Sequence, residues 1–485
     1  VGEEVAMKKQ LFVCFLVFLG LLCGLPAYSW GEVVLPPGPT LTLGNEPGSS
    51  DSVDPGILLA SAEVLAKPDD KPVQVAEAPA GFEGNSNGLV NDKTFAKDRD
   101  VFDEFEDVED GLGPLYNAQS CRECHQNPIS GSSSQITELR VGHMEDGAFQ
   151  NPEVPIMHGR VIITGRSVIN DRAICPGGQF PFGEIQERVP LTETIRTFRT
   201  SLNLLGDGFV EAVDDQTLID LAERQGIVTD EKIRGQVLYV PVLEARKDPV
   251  LRVGRFGWKN QQASLLSFAA DAYLNEMGIT SRLLEDEVTD ICNDSSIPEP
   301  NDQDDDIDVF ARFIRATKAP ARDEVQAQTP QAMEGERIFT ETGCAICHVP
   351  TLVTAPAGTW INGKTFKIPK ALGDKTFHPY GDFLLHDVGT GDGIVQSWTE
   401  HYGREVYEYF GAELSVEDYD STQNKMRTAP LWGVRFRSRL MHDGESLTFL
   451  DAIKRHGGEA SDVIDQFHRL TRLEKLALFE FLKSL

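Results

Sequence analysis

Two stretches of the sequence join two thiols and an imidazole at one short, fixed spacing: Cys121-Arg-Glu-Cys124-His125 and Cys344-Ala-Ile-Cys347-His348. Thiols three residues apart can each add to one of the two vinyl groups on a porphyrin edge, forming thioethers. The next residue then lies under the iron and supplies its proximal imidazole. The spacing predicts two covalently bound haem c groups, attached at Cys121/Cys124 and Cys344/Cys347, with His125 and His348 as iron ligands. The rival chemistry is a four-thiolate zinc site built from both pairs, and it needs neither a His after each pair nor export. Whatever fills each iron's sixth position decides the function. With His or Met there it carries electrons, whereas an open position can activate peroxide or oxygen. His143, His158, His378, His386, His401, His442, His456, His468 and several Met residues are available, and composition does not choose among them.

A helix-like apolar stretch leads into each motif. Phe102, Phe105, Val108 and Leu115 are spaced that way before the first, and Gly335-Glu-Arg-Ile-Phe339 precedes the second. From Ile136 to Pro249 the texture is mixed, and the β-branched run Arg160–Thr164 predicts a short hairpin. Helices are expected over Asp214–Gln225, over Gln261–Met277 with Gly278 as its stop, and over Val309–Arg315. Ser295–Asp308 reads as a solvated acidic loop, since it lacks the glycine and closing Glu of an EF-hand. A second domain is expected to start near Thr329. Its terminal helix carries a capping box, Thr471 and Glu474, with Leu473, Leu476, Phe479, Leu482 and Leu485 recurring on one face.

The 485 residues carry a net charge of −31. That charge repels nucleic acid and attracts a basic protein partner. Lys8 and Lys9 precede an apolar run from Leu11 to Leu25, and Ala27-Tyr28-Ser29 has small residues where a signal peptidase reads. We expect residues 1–29 to be a signal peptide, 30–81 a flexible leader, 82–325 an N-terminal haem domain and 326–485 a C-terminal one, with the mature protein in the periplasm. Loss of Cys14 and Cys23 with the signal leaves Cys175 and Cys292 outside the motifs. They are an even pair, either a disulfide or two buried thiols.

Further motifs carry a family resemblance. They are Asp110-Gly-Leu-Gly-Pro-Leu-Tyr-Asn-Ala-Gln-Ser-Cys121, Gly254-Arg-Phe-Gly-Trp-Lys259, Pro379-Tyr-Gly-Asp-Phe-Leu-Leu-His-Asp387, Arg427-Thr-Ala-Pro-Leu-Trp-Gly433 and Met441-His-Asp-Gly444. From about Phe102 to Leu485 the chain resembles the di-haem oxidoreductases often labelled thiol oxidoreductases. These are relatives of the bacterial di-haem cytochrome c peroxidases and of the methylamine-utilisation di-haem enzyme. In the peroxidases a Met that ligates the C-terminal haem follows the His-x-Gly motif by fourteen residues. Here that motif opens at His442 and His456 stands at the Met position, so the resemblance implies a C-terminal haem held by His348 and His456. It also implies Trp258 as an electron relay and Glu276 as the acid–base group at the N-terminal haem, although Leu266 stands where the peroxidases have a Gln ten residues before that Glu. Near the distal side of that haem it leaves His143, Met144 or no ligand. A calcium site between the haems is implied too, with Arg437 and Arg439 where the peroxidases have Thr and Pro.

The fold expected is mainly α, with two cytochrome c-like haem domains and a small β-containing insertion in the N-terminal one. The function expected is an exported, peroxidase-like di-haem oxidoreductase. A small donor protein, a cytochrome or cupredoxin, would deliver electrons at the C-terminal haem, and they would be used at the N-terminal haem on peroxide or another small substrate. The alternative is a pure electron-transfer cytochrome. Thiol chemistry is not expected, because neither Cys175 nor Cys292 sits in a Cys-x-x-Cys redox motif.

Overall fold

Asn91 stops the chain from entering a helix too early: its side chain accepts the Thr94 amide at 2.9 Å and caps α1 (Asp92–Asp103), which turns Phe95 and Phe102 inward. The computed structural model describes residues 75–175, 182–246, 250–289, 291–292, 296–395 and 419–485. The expected signal peptide, most of the expected leader and His401 lie outside them. All described residues belong to one compact unit, Val53–Leu485. No described helix is long and apolar enough to cross a membrane.

After α1, Ser120 caps the single turn α2 (Cys121–Cys124). The chain then forms a small antiparallel sheet. Its central strand is β1 (Thr137–Glu145), which pairs with β2 (Ala148–Gln150), β3 (Val168–Ile169) and β4 (Ile195–Thr200). The β1–β4 register runs from Thr137 opposite Thr200 to Gly142 opposite Ile195. Val154–Ile156 and Val161–Ile163 pair as the hairpin expected around Arg160–Thr164. Helices α3 (Asp207–Glu211), α4 (Asp215–Val228), α5 (Leu265–Met277) and α6 (Asp306–Ala316) follow, then α7 (Pro330–Glu341), α8 (Phe449–Lys454) and α9 (Arg472–Leu482). Cys175 and Cys292 are joined by a disulfide.

The expected mainly-α class is wrong. Helix accounts for 34% and strand for 17%, with seven small sheets among the described residues. Most of those sheets have two strands of two or three residues, such as Trp360–Ile361 against Phe366–Lys367. Strands this short have no readable period-2 pattern, so long loops hide them in the sequence.

Packing ties the elements together. Glu211 on α3 has an almost inaccessible carboxylate, which accepts two bonds from Arg315 on α6 at 2.6 and 2.8 Å and one from the Leu265 amide at 2.9 Å. The largest apolar cluster includes Phe102, Phe209, Phe256 and Phe313 together with Leu352, Phe377, Phe383 and Trp432. A second cluster joins Ile338 and Phe339 of α7 to Leu478, Phe481 and Leu482 of α9. These two helices touch at Gly335, where an added Cβ would lie 2.0 Å from the Ala477 carbonyl oxygen. That contact sets which face of α9 is buried. It is Ala477, Leu478, Phe481 and Leu482, while Leu473 and Leu476, expected on the inner face, are exposed.

Candidate functional site

At the first motif the chain doubles back to hold its histidine. The Gly131 amide donates to the His125 carbonyl at 2.9 Å, and the His125 ring donates from Nδ1 to the Ser132 carbonyl at 2.9 Å. The second motif uses the same device, with His348 donating from Nδ1 to the Tyr380 carbonyl at 3.1 Å. In each case Nδ1 is occupied, the tautomer is fixed, and Nε2 keeps a lone pair for a metal. Burial lowers the pKa of both rings, that of His348 to about 4, so both are neutral as a ligand must be. A Phe from the preceding helix packs on each ring, Phe102 at 6.5 Å and Phe339 at 6.4 Å between centroids.

The two motifs open into different cavities. One of about 360 Å³ is lined by Cys124, His125, Glu138, Arg140, Arg166, Arg199, Trp258 and Glu276, among others. The other, of about 200 Å³, is lined by Cys344, Cys347, His348, Trp258, Arg427, Arg437, His442 and His456 with a largely apolar remainder. The cysteine pairs therefore do not converge on a single four-sulfur zinc site.

In the second cavity His348 and His456 face each other across 6.5 Å between ring centroids. One metal ion bonded at roughly 2 Å to a nitrogen of each ring fills such a gap. His456 sits just after α8 and donates from Nδ1 to the Ala452 carbonyl at 2.8 Å, so its Nε2 is also free. Two buried cations add to the fit. Arg427 is 5% exposed, has no carboxylate within ion-pair distance among the described residues, and leaves its Nε without a protein partner. Among the described residues the Arg437 guanidinium donates to Thr200 Oγ1 at 3.2 Å and to the Ser201 carbonyl at 3.5 Å. A buried cation is costly without a counter-charge. Haem, a flat apolar ring with an iron at its centre and two carboxylates on its edge, meets the imidazoles, the apolar wall and both arginines. At the positions expected to offer calcium ligands the structure therefore places cations: Arg437 as described, and Arg439, which donates to the Gly444 carbonyl at 3.3 Å.

Trp258 lines both cavities. Its indole nitrogen donates to the Thr200 carbonyl at 2.8 Å, and its ring meets His442 edge-on at 6.2 Å. Gly257 before it has φ +77, a left-handed backbone that favours glycine.

Glu276, near the C-terminus of α5, reaches the first cavity. Asn117 and Ala118, just ahead of Cys121, donate their amides to the Glu276 carbonyl at 2.7 and 3.1 Å, and Asn117 Nδ2 donates to Glu276 Oε2 at 2.9 Å. The loop before the first motif is thus fastened to the residue that faces it. The other distal candidates are elsewhere. His143 bonds Glu193 at 2.8 Å, Met144 accepts from Gln423 at 3.2 Å, and neither lines the cavity. Glu138, Arg140, Arg166 and Arg199 were not anticipated, because they lie in or beside strands without a motif. His386 was one of many candidate histidines, but its ring is clamped at both nitrogens, by Asp382 and Glu459 at 2.9 Å each, which leaves it no lone pair for a metal.

A sequence profile for the family described as "Di-haem oxidoreductase, putative peroxidase" matches residues 184–485. That span holds the second motif, Trp258, Glu276 and His456, and begins after the first motif. No curated protein matches the chain. Among solved structures it is similar to Kuenenia stuttgartiensis hydrazine synthase pressurised with xenon, at 14% identity and a TM-score of 0.34, covering 92% of this chain and 100% of that one. It is also similar to a MauG-like protein associated with microbial copper homeostasis, at 16% identity and a TM-score of 0.34, covering 87% and 95%.

Proposed function

The chain belongs to the di-haem oxidoreductase family, and from that premise we propose that it is an exported c-type di-haem enzyme that uses electrons on peroxide or a similarly small substrate. The observation that carries this reading is the difference between the two cavities. One has two facing imidazoles. The other has His125 alone among the His and Met residues of its described lining, beside four carboxyls and several arginines.

Cys121 with Cys124, and Cys344 with Cys347, would hold the two haems covalently, with His125, His348 and His456 as iron ligands. When bound, haem iron supplies the one-electron chemistry and, where a coordination position is free, a place for peroxide. His348 and His456 would hold the iron in their cavity from both sides, which suits that centre to electron entry rather than to chemistry. Trp258 touches both cavities and offers an aromatic path between them. Glu276 stands at the wall of the His125 cavity, placed to hold and pass a proton. Arg427 and Arg437, which line the His348 cavity with Trp258, would offset the carboxylates of a bound haem. The cation between the cavities is then a guanidinium, and we assign no calcium there.

The net charge of −31 supports a small, basic electron donor as the partner. Outside the cytoplasm is the place of action best supported, by the Lys8–Lys9 and Leu11–Leu25 pattern and by the Cys175–Cys292 disulfide. The test is peroxide-dependent oxidation of a reduced donor by the pure protein. Glu276→Gln should lower the rate by about 10²–10⁴-fold, the worth of a positioned acid–base group. No turnover in the wild-type protein would remove the enzyme reading.

A further inference from the structure

One wall of the His125 cavity comes from β1, which lies ahead of residue 184, where the family match begins. Successive side chains of a strand point to opposite faces, so Glu138 and Arg140 share one, and both line the cavity. Arg140 Nε donates to Glu138 Oε1 at 2.7 Å. Another wall comes from α5, which brings Glu276 into hydrogen-bond contact with Glu138. Glu276 is fixed from its other side by Asn117 at 2.9 Å. Two carboxyls in contact, away from bulk water, are not both ionised cheaply, and the pair titrates as a unit.

We propose that Glu138 and Glu276 share one proton, with Arg140 fixing the negative charge on Glu138 and so keeping the proton on Glu276. The charged surroundings favour this division. Arg199 from β4, itself paired with Asp392 at 2.7 Å, also lowers the Glu138 pKa. Arg172 is engaged by Glu123 at 3.2 Å and Arg166 by Glu187 at 2.9 Å. Asp271, a turn and a half back along α5, also lines the cavity and opposes a second charge on Glu276. Cys124, in the same lining, is uncharged as a thiol or as a thioether. Burial and the Glu138 charge together raise Glu276 well above the ordinary carboxylate range. Glu138 moves the other way: burial opposes its ionisation, but the Arg140 charge and the bond from Glu276 hold its pKa low. Glu138 is thus a positioning residue acting through Glu276, which at neutral pH holds a proton it can donate.

The assignment rests on the His125 cavity being the reactive one, and its test does not depend on turnover. Infrared spectra of the pure holoprotein and its variants, taken across a pH series, read the carbonyl stretch of protonated carboxyls. Burial lifts the Glu106 and Asp207 carboxyls to about 7 as well, so the reading is the difference between wild type and Glu276→Gln, which should show one such band at neutral pH. In Glu138→Gln the Arg140 charge passes to Glu276, and the band should be lost at a pH lower by about one unit or more. Arg140→Gln keeps both acids and should let a second carboxyl protonate at a higher pH than in wild type. It serves if Glu138→Gln does not fold. The haem absorption spectrum of each variant checks that the site is intact. A difference spectrum between wild type and Glu276→Gln with no neutral-pH carboxyl band overturns the proposal, as does an unchanged titration in both the Glu138 and Arg140 variants. If the bands behave as expected but wild type gives no peroxide-dependent spectral change, the shared proton stands and the peroxidase reading falls. If peroxide changes the spectrum and the bands do not respond, the shared proton alone falls.

Discussion

In the proposed function His456 decides what kind of centre the second motif makes. Its ring is held at Nδ1 by the Ala452 carbonyl and faces His348 across the cavity. Two imidazoles favour ferric iron more than an imidazole and a thioether do, so His456→Met should raise the midpoint potential of the C-terminal haem. A redox titration checks this, and an unchanged potential would mean that residue 456 is not a ligand. Trp258 is the other residue with a single readable consequence. Trp258→Ala removes the aromatic ring common to both cavities and should slow electron equilibration between the haems while leaving both absorption spectra intact. Stopped-flow reduction measures it, and an equal rate would move the path elsewhere. The Glu211–Arg315 pair acts on stability instead. Burial alone would raise the Glu211 pKa, but the Arg315 charge and its two bonds, with the Leu265 amide and Asn362, hold it low. A lowered folded pKa means that the pair stabilises fully above the ordinary carboxylate pKa of about 4.3, and that this stability drains away as the pH falls through the folded value. Glu211→Gln should therefore cost about 3–5 kcal/mol at neutral pH, by leaving Arg315 buried and unpaired, and less in acid. Denaturant melts at two pH values separate the terms, and an equal loss at both would contradict the linkage.

At the scale of elements, α5 is the piece that links fold to site. Ser264 caps it, Gly278 ends it at φ +71, and an added Cβ at Gly278 would lie 2.7 Å from the Gly113 carbonyl. Gly278→Ala should then destabilise by about 1–3 kcal/mol from backbone strain alone. It should also loosen the Asn117–Ala118 loop that leads to the first motif. A thermal melt read alongside the haem spectrum checks both effects, and a neutral substitution would show that the loop is positioned elsewhere. Much of this element was legible. The apolar run before Gly278 and the capping box at Thr471 and Glu474 are local signals, and local signals survive folding. The inner face of α9 was not legible, because Leu473 and Leu476 look as apolar as Phe481. Only the close approach of Gly335 to Ala477 decides which side is covered. The short strands were hidden for a similar reason. Their pairing is settled by partners far away in sequence, as β1 with β4, and Glu138 and Arg140 gain their meaning only once that sheet meets α5.

For the whole molecule, spacing alone revealed the two attachment motifs, and the resemblance to the peroxidases singled out His456. The walls around them were not legible, since no local pattern tells that Arg427 and Arg437 line a buried cavity. Two structurally unequal cavities share Trp258 within one compact unit, and the full sequence carries a net charge of −31. If a small basic protein is the donor, its association rate should fall steeply as ionic strength rises, because screening shortens the reach of the acidic surface. A rate indifferent to salt would argue for a neutral donor. The central claim, that one haem is closed by two imidazoles and the other is open to chemistry, is met most directly by paramagnetic resonance of the pure oxidised protein before and after peroxide. The account predicts a low-spin bis-imidazole signal insensitive to peroxide and a second haem signal that peroxide changes. Two low-spin six-coordinate signals, both unmoved by peroxide, would contradict it and make the protein an electron carrier.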